Sequence, residues 1–135
     1  MTDRRAYLPA VVADVRAIVE SGRLPVAGRI VHAVSPALET ATPRADLEER
    51  EHRAFLDAAE AAVTLAGGAR RVVLAIDVPE AEIRWTGVGS EGRLQGEVAR
   101  RQVVSLHVDD APGDPATELS WYDATEASHV RDLLS

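Results

Sequence analysis

Apolar and polar positions change period several times along the chain, and each change marks an element. The densest apolar run is Val72–Val73–Leu74–Ala75–Ile76, opened by Arg70 and Arg71 and closed by Asp77, Val78 and Pro79. Its β-branched content suits a strand buried on one or both faces, and proline ends its pairing. The two faces of that strand differ. Val72, Leu74, Ile76 and Val78 make one, and Val73, Ala75 and Asp77 make the other. Residues 103–109 repeat the pattern, with Val104, Leu106 and Val108 alternating against Val103, Ser105, His107 and Asp109. Shorter strands are expected over 4–8, ending at Pro9, over 29–34, over 82–86 with Ile83 and Trp85 on one side, over 93–98, and over 119–123.

Helical periods fill much of the remainder. Val11 or Val12, Val15, Ile18 and Val19 share one face of a helix over 10–21, and Gly22 stands where a left-handed terminator belongs. No Ser, Thr, Asp or Asn caps its start. Ser35 and Pro36 suit a short helical turn, followed by a loop over 39–44. The longest period predicts a helix over 45–66, with Phe55, Leu56, Ala59, Ala62, Val63 and Ala66 as its apolar stripe and Gly67–Gly68 as its stop. So much alanine implies close packing on a sheet. A closing helix would bury Ala127, Val130, Leu133 and Leu134, with Asp123 or Thr125 as cap. Residues 87–92 read as a mobile glycine-rich loop and 110–115 as a turn. Most strands follow the two main helices, which predicts an α+β fold. We expect a two-layer sandwich, with a mixed sheet of about five to six strands, two main helices and a short C-terminal helix, in one domain over 1–135.

Composition narrows the possible functions. Hydrophobic residues make up 46% of the chain but aromatics only 4%, so Ala, Val, Leu and Ile must fill the core. The chain has no cysteine, which excludes disulfides, thiolate metal sites and cysteine nucleophiles. A net charge of −7 argues against nucleic acid and anionic membranes as partners. All 15 basic residues are Arg. That fits bidentate anion contacts, or simply the codon bias of a GC-rich genome, which the abundance of Ala, Gly and Val supports. No apolar run is long enough for a signal peptide or a membrane span, so a cytoplasmic location is expected.

Two sets of residues are candidates for chemistry. If 72–78 and 103–109 are neighbouring strands, Asp77, His107 and Asp109 fall on one face near the strand ends and could form a metal site or an acid–base group. The competing interpretation is a solvated face ending in turn residues. Trp85, Trp121 and Tyr122 are three of the five aromatics and could mark a binding surface, or else plug the edge of an aliphatic core. His52 suits packing at a helix start, and His32 and His129 carry no diagnostic spacing. Arg70–Arg71 and Arg100–Arg101 each precede a strand, as an anion-binding rim or as solvated flanks. No nucleophile elbow, phosphate loop, dinucleotide fingerprint or zinc-hydrolase helix is present, so no motif calls for a cofactor or a metal.

Five segments resemble an uncharacterised family of small actinobacterial proteins, a domain of unknown function. They are Tyr7–Leu8–Pro9–Ala10, Val34–Ser35–Pro36–Ala37–Leu38, Arg71 to Pro79, Val104 to Asp110, and Leu119–Ser120–Trp121–Tyr122–Asp123. Three departures stand out: Val11 where a hydroxyl cap is expected, His52 in place of an aromatic, and a shortened acidic stretch before Trp121. The resemblance implies an actinobacterial cytosol and supplies no activity. In element order alone the chain is also similar to ADP-ribosyltransferase-like domains, without their His-Thr-like pair at Ala6–Tyr7. Three functions stay open. The first is a binding or regulatory module that engages a protein partner through Trp121, Tyr122 and the polar sheet rim. The second is a small enzyme or nucleotide-binding domain around Asp77, His107 and Asp109. The third is a homodimer that buries the small-residue face.

Overall fold

The run beginning at Val72 does form an interior strand, and the sheet is built outward from it. The computed structural model describes residues 2–113 and 117–135. Its elements in chain order are β1 (Asp3–Ala10), α1 (Val12–Ser21), β2 (Arg23–Leu24), β3 (Ile30–Ala33), α2 (Pro36–Ala41), α3 (Leu47–Ala66) and β4 (Val72–Pro79). There follow β5 (Ile83–Trp85), β6 (Glu91–Leu94), β7 (Val98–Ala99), β8 (Val103–Val108), β9 (Ser120–Asp123) and α4 (Ala127–Leu134). Seven strands form one sheet in the order β5-β6-β3-β1-β4-β8-β9, and β2 pairs with β7 apart from it.

The α+β class stands, but the sheet differs from the expected mixed one of five or six strands. Every pairing is antiparallel. The reason lies at the N-terminus. Asp3 to Ala10 is a full eight-residue strand that pairs along the whole of β4, inserting between β3 and β4. Pro9 does not end it.

Alternation along β4 sorts the two faces as expected. Leu74 and Ile76 join Ala6, Leu8, Val31, Leu106 and Val108 in the main core, which α1 (Val15, Ile18) and α4 (Ala127, Val130) cover. Val73 belongs instead to a second cluster under Ala58, Ala59 and Ala62 of α3. Helices therefore lie on both faces, and the expected two-layer sandwich gains a partial third layer. A bulge opposite Ala75 and Ile76 aligns Val103 with Ile76, which turns Val103 into the main core rather than onto the His107 face.

Local signals account for the helix ends. Ser35 Oγ accepts from the Leu38 N–H with Pro36 at the first helical position, and Asp46 caps α3 by accepting from the Glu49 N–H. Gly22 and Gly67 are both left-handed terminators. At α1, Val11 cannot cap, and Asp14 substitutes by accepting from the Val11 N–H at 2.9 Å. Asp14 is itself gripped by Arg29 at 2.8 and 2.9 Å, which ties the helix start to the segment entering β3. The 87–92 stretch is a tight β5–β6 connection, not a loop throughout: Gly92 lies within β6 opposite Trp85. A Cβ there would sit 2.5 Å from Ile83 Cγ2, so glycine permits the two strands to close. The expected turn over 110–115 falls partly outside the described residues.

Candidate functional site

Helix α3 is set off-centre on its face of the sheet. It packs across β1, β3 and β4. A hydrogen-bonded chain anchors it there: Ser90 Oγ donates to Asp57 of α3 at 2.7 Å, and His32 Nδ1 of β3 lies 2.9 Å from the same Ser90 oxygen. Burial lowers the His32 pKa, against the opposing charges of Asp57 and Glu91. The β8 and β9 part of the face is left uncovered, and α3 reaches it chiefly through Phe55, whose ring lies 4.9 Å from that of His107.

The rotation of α3 departs from the expected stripe. Ala54, Ala58, Ala59 and Ala62 face the sheet, while Leu56 and Val63 stay 43% and 39% exposed. Close approach selects the alanines, since larger side chains would hold the helix away. Leu56 is thereby displaced to the flank, over the uncovered strands.

Between that flank and the 117–121 segment runs a groove of about 720 Å³. Its floor is Tyr7, Ala75, Ser105 and His107, all from the small-residue face. Ser105 Oγ and His107 Nε2 are 2.9 Å apart, so one donates to the other. Burial pushes the His107 pKa down to about 4, which leaves its imidazole neutral at pH 7. The Tyr7 hydroxyl is pushed up, first by burial and then by the charge of Glu51, so it too is uncharged. The floor is polar but neutral. The walls carry the charge, with Glu48 and Glu51 on α3 and Glu118 opposite. Trp121 of β9 forms the rim, pairing with His107 across the strands and 62% exposed.

Asp77, His107 and Asp109 do not meet. Asp77 is bound by Arg5, with Nε to Oδ1 at 2.6 Å and Nη2 to Oδ2 at 3.1 Å. It lies four residues along β4 from Val73, the partner of His107, or about 13 Å away. Asp109 is 3% exposed and holds Arg71 through both carboxylate oxygens, at 2.7 and 2.9 Å, while also accepting from the Arg71 backbone N–H. Burial raises its pKa, but the hydrogen bonds and charge of Arg71 outweigh that and hold the carboxyl below its ordinary value. Arg71 also donates to the Thr117 carbonyl. The pair thus props up the far wall of the groove. Both carboxylates serve as partners to arginines, and His107 has Ser105.

Of the three aromatic candidates, only Trp121 lies on the groove. Tyr122 faces the other way by strand alternation, packs against the main core and lies 6.0 Å from the His129 ring. Trp85 packs at the opposite end of the sheet above Gly92. His52 lies beside Phe55 in the groove wall, with ring centroids 6.4 Å apart. Arg70 donates to the Leu133 carbonyl, securing the end of α4. The sequence reading missed Tyr7 and the glutamates. Tyr7 could have been found had β1 been paired with β4, since it lies opposite Ala75.

Among the described residues no group of three or more His, Asp or Glu is arranged to hold a metal ion. No described helix is long and apolar enough to cross a membrane. A family model described as a family of unknown function, DUF6912, matches residues 4–131. No curated protein and no solved structure matches the chain.

Proposed function

The chain belongs to the DUF6912 family, whose function is unknown, and on that premise we propose that it is a binding module whose groove seats part of a protein partner. The observation that carries this reading is Trp121, a large amphipathic ring 62% exposed at the rim of a groove rather than folded into the core. Two further features support it. Leu56 leaves an apolar flank uncovered beside the same groove. β9 is an edge of the sheet, so an extended partner segment can pair with it and lay alternate side chains over Trp121. The setting that goes with this reading is an actinobacterial cytosol; Arg in place of Lys throughout supports the GC-rich genome of such a source.

A second reading, a hydrolytic or transferase site, draws on the Ser105–His107 contact. Here the low His107 pKa argues for a hydrogen-bond acceptor in a binding floor, since an imidazole of pKa about 4 is a weak base at pH 7. The test is photocrosslinking in the native host, with a benzophenone amino acid replacing His52, exposed on the groove wall, in one variant and Val88, exposed on the β5–β6 turn, in another. A discrete protein adduct from position 52 and none from position 88 is expected. Equal adducts from both, or none from 52, would count against the module.

A further inference from the structure

We infer that the groove selects a basic side chain, Arg or Lys, presented by an extended partner segment; this rests on the reading of the groove as a partner seat. Carboxylates outnumber cations at the groove once each arginine is matched. Two arginines reach the groove, but Arg5 is matched by Asp77 and Arg71 by Asp109, both in close two-point contact. Three carboxylates also line it, Glu48, Glu51 and Glu118; Glu51 acts on Arg5 only through space, and among the described residues none of the three is in an ion pair. The groove therefore presents net negative charge over a neutral floor.

Trp121 adds a second attraction of the same sign. The face of an exposed indole draws a guanidinium or ammonium, and more strongly when partner contact removes water. Leu56 gives the methylene stem of such a side chain an apolar surface to lie on, while its head reaches the carboxylates. An acidic segment would meet like charge here and on a chain whose net charge is −7. The edge position of β9 fixes the form of the ligand, because a strand paired there directs every second side chain to the Trp121 face.

The probe is a random-peptide phage library selected on the full chain and counter-selected on Trp121→Ala. Peptides that need Trp121 should be rich in Arg or Lys. The Glu48→Gln/Glu118→Gln variant should weaken them about tenfold, and added salt should weaken them further. Trp121-dependent peptides that are neutral or acidic would overturn the basic-side-chain inference and leave the groove as a partner seat. Selection of no Trp121-dependent peptide would overturn both. Light scattering on the free chain supplies the remaining outcome: a dimer that Trp121→Ala dissolves would make a second copy the occupant and overturn the inference.

Discussion

Leu74 and Ala75 are consecutive on β4, yet they look into different surroundings. Leu74 points into a face closed by α1 and α4 and filled with aliphatic side chains from six or more elements. Ala75 points into the floor of a groove beside Ser105, with α3 displaced to one side. One face is sealed and apolar, and the other is half covered, polar and charged at its walls. The comparison teaches that a single strand can separate stability from recognition. Large residues on one side hold the sheet together, and small residues on the other leave space for a ligand.

Breaking the arginine pair at the groove end should have the largest effect. Asp109→Ala leaves Arg71 buried without its carboxylate and should cost about 3–5 kcal/mol in urea unfolding. The same carboxyl gives a pH signature. Its folded pKa is depressed, so its contribution is complete above the ordinary carboxylate value and is lost as pH falls through the folded one. On the sealed face, Leu74→Ala should cost about 2–5 kcal/mol, whereas Ser105→Ala on the groove floor should cost about 1 kcal/mol or less. Similar losses at both positions would erase the contrast between the faces.

Titration of His107 sharpens the same comparison. Its folded pKa is about 4 against an ordinary 6.5. Between those values the unfolded chain takes up a proton that the folded chain does not. Stability should therefore fall as pH drops from about 6.5 to about 4, and His107→Gln should reduce that fall to the part that the lowered His32 contributes, while leaving the Asp109 loss at lower pH. Unfolding curves at stepped pH give the answer. The smallest effect is a gain. Val11→Thr supplies the hydroxyl cap that α1 lacks and should add about 0.5 kcal/mol, read as a higher melting temperature.

Much of this was legible in the chain. The two faces of β4, the Ser35–Pro36 cap and the glycine stops all follow from period and local chemistry. Three features were not. The pairing of β1 along β4 is a long-range choice that no local pattern encodes, and it decides that the sheet is antiparallel. The rotation of α3 ran against hydrophobicity, because tight helix–sheet contact favours Ala54, Ala58 and Ala62 over Leu56 and Val63. Asp77 and Asp109 were grouped with His107 by alternation, but alternation says nothing about the arginines that hold each of them. Arg5 comes from β1, a partner strand that alternation does not reveal, and Arg71 from the position just before β4, where the sequence allows an anion-binding rim or a solvated flank.

The measurement that bears most directly on the account is made on Trp121→Ala, by unfolding and by quantitative capture from a native-host lysate in parallel with the unaltered chain. The ring is largely in solvent, so the unfolding free energy should stay within about 0.5 kcal/mol. The captured protein should disappear. A variant that loses stability by several kcal/mol would place Trp121 in the core, and one that keeps both its stability and its partner would contradict the groove as the site of recognition.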